Sequence, residues 1–118
     1  LAKRYYHELS GGEKQLVLIA RAIAQQAKLL IMDEPTASLD FGNQIRVLGK
    51  IKQLQHQNIA LLITTHNPQQ AVYLAENIAM LDQEFGFQQG EKSELMTFEN
   101  LAKIYRTSVQ ELQKHLNL

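Results

Sequence analysis

The sequence predicts an α/β fold in which a crossover helix joins two parallel strands. Residues 29–32 are all apolar and are followed at once by the carboxylates Asp33 and Glu34. A second apolar run, residues 59–65, leads directly to His66, and an amphipathic stretch separates the two runs. A strand, a helix and a strand over this length form a βαβ unit, whose crossover should be right-handed. Because the first run is continuously apolar, we expect that strand to be buried on both faces.

Helical spacing of apolar residues predicts the two helices that flank the first strand. The earlier helix opens at residues 10–13 and runs for about 15 residues. Its apolar stripe comprises Leu16, Ile19, Ala20 and Ile23. The crossover helix follows Asp40, which occupies the N-cap position, and reaches about residue 57. Its buried side comprises Ile45, Leu48, Ile51 and Leu54.

A hairpin and further helices are predicted after the second strand. A short helix begins at Pro68, where proline is tolerated in the first turn. Strands over 77–81 and 84–89 follow, joined by a tight turn near Asp82, and Gly90 ends the sheet. Two amphipathic helices close the chain, with Phe98, Leu101, Ala102 and Tyr105 on the first and Val109, Leu112 and Leu116 on the second, which Ser108 caps. We expect these tail helices to serve packing or a partner surface, not chemistry.

Composition narrows the possible classes of protein. The 118 residues suit one domain with a modest core, and the 12 basic and 12 acidic residues give no net charge that would favour nucleic acid or anionic lipid. The absence of cysteine excludes disulfides and thiolate metal sites. No apolar run approaches the roughly 20 residues of a membrane span, and no signal-peptide core is present. Leu1 in place of methionine suggests that the chain begins inside a longer protein of cytoplasmic type.

Polar residues at the ends of both strands are the candidates for chemistry. Open α/β sheets bind ligands beyond the carboxyl ends of their strands, where Asp33 and Glu34 fall. Acids also follow apolar runs simply because a strand has reached the surface. The matched position of His66 at the end of the next strand favours a functional site. The remaining histidines, His7, His56 and His115, lack a partner at metal-ligand spacing.

The start of the first helix offers two interpretations. Ser10 and Glu13 match a capping box, which would explain this segment by structure alone. A cap does not need Gly11 and Gly12 together, whereas paired glycines at a helix start let the backbone approach a phosphate. We therefore favour phosphate contact.

These segments resemble motifs of ABC-type ATPases. Residues 29–40 resemble the Walker B strand and D-loop of that family, and residues 9–13 resemble its signature motif. The resemblance covers nearly the whole chain and implies a partial RecA-like P-loop NTPase core. The implied parts are the signature-helix part of the helical subdomain in residues 1–27, a catalytic-core half in residues 28–90 and a C-terminal helical tail in residues 91–118.

The resemblance also implies ATP and Mg²⁺ as cofactors and a role for each site residue. Asp33 would hold Mg²⁺, Glu34 would act as general base on the attacking water, and His66 would contact the γ-phosphate. ATP held by a second subunit would be bound by Leu9, Ser10, Gly11, Gly12 and Glu13, with Asp40 bridging the dimer interface. Glu13 stands where the family more commonly has glutamine.

One expected part of such a site is missing from the sequence. No G-x-x-x-x-G-K-[ST] phosphate loop occurs in the 118 residues, so the chain resembles the C-terminal half of an ABC ATPase domain. We expect this part to be inactive alone and to leave apolar sheet and helix surface uncovered.

The leading functional interpretation is the ATP-binding subunit of an ABC-type membrane importer. The tail, Gly90 and residues 95–101, resembles importers of iron chelates, cobalamin, haem or molybdate, which implies uptake of a metal chelate or an oxyanion. The implied partners are a second ATP-binding subunit, transmembrane permease subunits and, indirectly, a solute-binding protein, with no nucleic acid. The implied location is peripheral, at the cytoplasmic face of the inner membrane. The alternatives are the ATPase head of a chromosome-maintenance or DNA-repair protein and a non-functional truncated reading frame.

Overall fold

The structure is a computed structural model that describes residues 11–118, so the predicted site residues Leu9 and Ser10 lie outside the described range. The chain divides into two compact units, one ending at His66 and the other running from Asn67 to Leu118. No helix within the described range is long and apolar enough to cross a membrane. The predicted three-part division of the chain stays a prediction.

The first unit contains the predicted strand, helix and strand. Its elements are α1 (Gly11–Ala24), β1 (Leu29–Asp33), α2 (Phe41–Leu54) and β2 (Ala60–Thr64). The two strands pair in parallel, with Leu29 opposite Ala60 at one end and Asp33 opposite Thr64 at the other. Helix α1 packs against α2. The α/β class and the parallel pairing across a crossover helix are therefore confirmed.

The expected burial of β1 on both faces is wrong for these residues. Leu30 and Met32 are buried, but the alternate residue Ile31 is 58% exposed. On β2, Leu62 pairs with Ile31 and is 55% exposed. Because successive side chains of a strand point to opposite faces, one face of this two-stranded sheet is covered and the other is not. The expected uncovered apolar sheet surface is confirmed.

Helix α2 begins as predicted and buries a slightly different face. The Asp40 side chain accepts a hydrogen bond from the Asn43 amide at 2.8 Å, which confirms the predicted N-cap. The helix ends at Leu54, before the predicted residue 57. Its buried residues are Val47, Ile51 and Leu54, whereas Ile45 is exposed. The apolar spacing identified the stripe, but it did not fix how the helix is rotated about its axis.

In helix α1, too, the buried face differs from the apolar stripe that the sequence predicts. It has 14 residues, close to the predicted length, and its buried residues are Gly12, Ile19 and Ala22. Two residues of the predicted stripe, Ala20 and Ile23, are exposed.

The second unit is a hairpin with helices before and after it. Its elements are α3 (Pro68–Leu74), β3 (Asn77–Asp82), β4 (Gly86–Glu91), α4 (Lys92–Leu95), α5 (Phe98–Tyr105) and α6 (Val109–His115). The strands are antiparallel, with Asp82 opposite Gly86 next to the turn. Strand β4 continues past Gly90 to Glu91, so the prediction that Gly90 ends the sheet is wrong by one residue. The short helix α4 was not predicted.

A small core holds the second unit together. Ile78 and Met80 of β3 are buried with Leu101 of α5, which is 3% exposed. Around them pack the partly buried residues Ala71, Ala75, Leu95, Met96, Ile104, Leu112 and Leu116. The Ser108 hydroxyl accepts from the Glu111 amide at 3.1 Å, which confirms the predicted cap of the last helix. The tail helices therefore do pack, as expected.

Candidate functional site

The carboxyl ends of β1 and β2 bring the predicted polar residues together. Asp33 lies opposite Thr64 in the last pair of the parallel ladder. One further hydrogen bond extends the pairing, because the Glu34 amide donates to the Thr64 carbonyl at 3.0 Å. His66 follows two residues later. The predicted placement of Asp33, Glu34 and His66 at one end of the sheet is therefore confirmed, while their roles stay predictions.

The side chains of Glu34 and His66 are in direct contact. Oε1 of Glu34 accepts a hydrogen bond from Nδ1 of His66. An ionised carboxylate can only accept, so the contact requires a proton on Nδ1. The Glu34 side chain is 27% exposed and that of His66 is 90% exposed. The carboxylate is thus held from one side by the imidazole and is still accessible to water.

The backbone of Glu34 is in the left-handed region, with φ of 48°. For a residue with a Cβ this conformation costs about 1–2 kcal/mol. A turn after it is closed by a hydrogen bond from the Ala37 amide to the Glu34 carbonyl at 3.0 Å, and the intervening Pro35 is buried. Sterically costly conformations of this kind cluster at functional sites, where surrounding contacts maintain them. No sequence signal at Glu34 indicated it.

Thr64 is a site residue that the sequence reasoning missed. Its hydroxyl donates to Oδ1 of Asp33, and the Glu34 amide lies 3.3 Å from the same hydroxyl oxygen. The signal that could have found it is the strand register, since residues paired across two strands have side chains on the same face. The sequence alone did not fix that register.

Asp33 fits a magnesium ion that is shared with a nucleotide. Within residues 11–118, no cluster of three acidic or histidine side chains could hold a metal by itself. Mg²⁺ is usually bound by one or two carboxylates together with substrate phosphates, so one accessible carboxylate matches its needs. Asp33 is exposed, and Thr64 engages only its Oδ1.

The glycines at the start of α1 also have a structural reason, which is close packing against the segment that precedes α2 and its first turn. A Cβ on Gly11 would lie 2.8 Å from Cδ2 of Leu39, and one on Gly12 would lie 3.0 Å from Cγ of Asn43. The absence of side chains thus lets the helix start approach the segment around Asp40. The glycine pair by itself therefore does not distinguish phosphate contact from close packing, and the predicted roles of Gly11, Gly12 and Glu13 stay predictions.

Asp40 is exposed at the start of α2, and its carboxylate accepts from the Asn43 amide of its own helix. This contact explains the residue structurally. Its predicted position at a dimer interface stays a prediction.

Comparison with known proteins identifies the family. The family model for ABC transporters matches residues 1–37. An ABC transporter ATP-binding protein of Haemophilus influenzae, itself uncharacterised, is 80% identical over 117 residues, which are 99% of this chain and 44% of that protein. The molybdate import ATP-binding protein MolC of the same organism is 44% identical over 114 residues, 96% of this chain and 45% of that protein. The chain belongs to the ABC transporter ATP-binding family.

A solved structure supports the same assignment. An inward-facing transporter described as of the metal-chelate type superposes with a TM-score of 0.82 at 45% identity, over 90% of this chain and 43% of that one. The RecA-like α/β fold predicted for the chain is therefore confirmed. The chain spans less than half the length of these two curated relatives, 44% of one and 45% of the other.

Proposed function

We propose that these residues are part of the ATP-hydrolysing subunit of an ABC-type importer and that they supply the side of the site around the attacking water. The observation that carries the proposal is the contact of Glu34 with His66 beside Asp33, at the end of the parallel strands. Hydrolysis of a nucleotide is mostly a matter of positioning and charge stabilisation around the transferring phosphoryl group. This task suits the residues at the carboxyl ends of the two strands, which are a carboxylate and an imidazole in mutual contact and a second carboxylate that can bind a metal.

Each residue then has a distinct part in hydrolysis. Glu34 accepts a proton from the attacking water, and its contact with His66 orients the carboxylate while water can still reach it. His66 contacts the γ-phosphate. Because His66 also contacts Glu34, the position of the Glu34 carboxylate depends on whether the γ-phosphate is present. Asp33 holds Mg²⁺, which, when bound with ATP, neutralises charge on the phosphates.

The rest of the proposal concerns partners and location. The residues that bind ATP held by a second subunit are Leu9, Ser10, Gly11, Gly12 and Glu13. Of these, Ser10, Gly11 and Gly12 contact its γ-phosphate, and Asp40 lies at the interface between the two subunits. The subunit works at the cytoplasmic face of the inner membrane with permease subunits that receive solute from a binding protein. Its solute is a metal chelate or an oxyanion; a molybdate importer among the relatives and a metal-chelate type transporter among the structures support this class.

The relatives favour the importer over the other interpretations. Transporter ATP-binding proteins match 99% and 96% of this chain. No feature of the described residues specifically favours a chromosome-maintenance ATPase head or a decayed reading frame.

A chimera tests the proposal. The matching 117 residues of the Haemophilus influenzae relative are replaced by this chain, which is 80% identical over that stretch. General-base catalysis is typically worth 10²–10⁴-fold, so Glu34→Gln should lower ATP hydrolysis by about that factor. ATP binding should be spared, because Asp33 is unchanged.

The matched control for this experiment is Glu84→Gln. Glu84 is exposed in the hairpin turn, where only its backbone amide has an observed hydrogen bond, to Asp82. The control should hydrolyse ATP like the unaltered chimera. Near-normal hydrolysis by Glu34→Gln would show that Glu34 is only a surface acid at a strand end.

A further inference from the structure

We propose that Thr64 is a positioning residue for magnesium, which orients the Asp33 carboxylate and ties it to the backbone of Glu34. The inference rests on the proposed function, because it assumes that Asp33 binds the metal. It adds a residue from β2 to a site whose metal-binding carboxylate is the last residue of β1 and whose basic carboxylate follows directly after it.

The direction of the hydrogen bonds at Thr64 is fixed by chemistry. A hydroxyl has one proton to donate, and an ionised carboxylate can only accept, so the proton of Thr64 points to Oδ1 of Asp33. A backbone amide can only donate, so the hydroxyl oxygen is an acceptor for the Glu34 amide, 3.3 Å away. Thr64 therefore links the two acidic residues through one oxygen atom.

This link leaves Asp33 with a defined orientation. Among the described residues, Thr64 is the one that donates to the Asp33 side chain, and it does so to Oδ1. The Thr64 hydroxyl does not engage Oδ2, and Asp33 is an exposed residue. Mg²⁺ demands near-ideal octahedral geometry, so a carboxylate that is already oriented binds it better than one that rotates freely. Partners of this kind typically contribute 10–100-fold to metal affinity.

The position of Thr64 is itself held by the sheet. Thr64 is the last residue of β2, directly opposite Asp33, and its carbonyl accepts from the Glu34 amide at 3.0 Å. The branched Cβ of threonine further restricts rotation about χ1. The hydroxyl is thus placed by the backbone register and by the side-chain type together.

The test measures metal affinity apart from turnover. The chimera described above is prepared in a Glu34→Gln background and loaded with ATP, and Mn²⁺ is titrated with electron paramagnetic resonance as the readout of free metal. Thr64→Val keeps the shape and removes the hydroxyl, so Mn²⁺ affinity should fall by about 10–100-fold. Thr64→Ser restores the donor, and its affinity should return to within a few-fold of the unaltered chimera.

Two controls separate positioning from a loss of folding. Thr107→Val makes the same chemical change in the second unit, at an exposed residue, and should leave Mn²⁺ affinity unchanged. In an Asp33→Asn background, Thr64→Val should have little further effect on affinity, because two residues that act through one contact are not additive.

The outcomes distinguish this inference from the proposed function. Unchanged Mn²⁺ affinity in Thr64→Val, or a Thr64→Ser variant as weak as Thr64→Val, would overturn the positioning role. A full Thr64→Val effect that persists in the Asp33→Asn background would also overturn it. Failure of the proposed function would be detected in a different experiment, in which the chimera would hydrolyse ATP equally well with and without Glu34→Gln.

Discussion

The end of β1 and the end of β3 look alike in sequence and differ in structure. Each strand is rich in apolar residues and ends in an aspartate, Asp33 in one case and Asp82 in the other. The Asp82 side chain is only 9% exposed and lies 3.7 Å from Arg106. Its Oδ2 accepts from the amides of Glu84 and Phe85 at 2.9 and 3.1 Å. Asp33 is exposed and has one hydroxyl donor, on Thr64.

The connection that follows each strand explains the difference. Strand β3 turns back at once into an antiparallel partner, so the aspartate is used to bond the amides of its own turn. Strand β1 is joined to a parallel partner, so the chain must leave the strand end and cross over through a helix. An acid that ends an apolar run is thus structural in a hairpin and accessible for chemistry in a parallel pair.

The prediction with the largest expected effect concerns ATP hydrolysis by the site at the ends of β1 and β2 when no other segment of protein is present. We expect these 118 residues alone to show no ATP hydrolysis, because the sequence has no phosphate loop to hold the β- and γ-phosphates. One helix N-terminus contributes about 0.3–1 kcal/mol to an exposed anion, far below the roughly 4 kcal/mol of millimolar affinity. Calorimetric titration of Mg-ATP and a phosphate-release assay measure this. Turnover that disappears in Glu34→Gln would contradict the expectation.

The second test compares a covered leucine with an uncovered one. Leu101→Ala, in the core of the second unit, should lower the free energy of unfolding by about 2–5 kcal/mol. Leu62→Ala, on the uncovered face of the parallel pair, should lower it by less than about 0.5 kcal/mol. Thermal and denaturant unfolding of the purified chain measures both. Equal losses would mean that the face around Leu62 is covered in solution.

The third test exchanges the two aspartates for alanine. Asp82→Ala removes two amide hydrogen bonds, each worth about 0.5–1.5 kcal/mol, and should lower the unfolding free energy by about 1–3 kcal/mol. Asp33→Ala should cost under about 1 kcal/mol in the same assay, since it removes only the acceptor of one exposed hydroxyl, that of Thr64. The reverse order of the two losses would remove the distinction between a structural and an accessible acid.

The smallest test concerns the helix caps, which both units use in the same way. Asp40→Ala in the first unit and Ser108→Ala in the second should each cost about 1 kcal/mol, because each removes one acceptor from a helix start. Unfolding midpoints of the single variants measure this. A much larger loss for Asp40 would show that its carboxylate does more than cap α2.

Local chemistry could be predicted from the sequence wherever a single residue type determines it. The caps at Asp40 and Ser108, the proline at the start of α3 and the acidic end of β1 were all identified in this way. The rotation of the helices was not, because α2 carries apolar residues on more than one side, and only packing decides that Val47 is buried while Ile45 is exposed.

The site was predictable to the same degree. Asp33, Glu34 and His66 follow from strand ends and from resemblance. The contact of Thr64 with Asp33 depends on a strand register that one sequence does not contain, and the left-handed backbone of Glu34 depends on the turn built around it.

The left-handed backbone of Glu34 also limits which substitutions this position tolerates during evolution. Glutamate codons change by a single base into codons for glycine, alanine, valine, aspartate, glutamine or lysine. Glu34→Gly relieves the positive φ but removes the carboxylate, and Glu34→Val places a branched Cβ where it is least tolerated. Glu34→Asp keeps the charge but withdraws the carboxylate from His66 by one methylene, and Glu34→Gln keeps the reach without the charge. Under selection for hydrolysis, Glu34 has no neighbour in the genetic code that preserves both its reach and its charge.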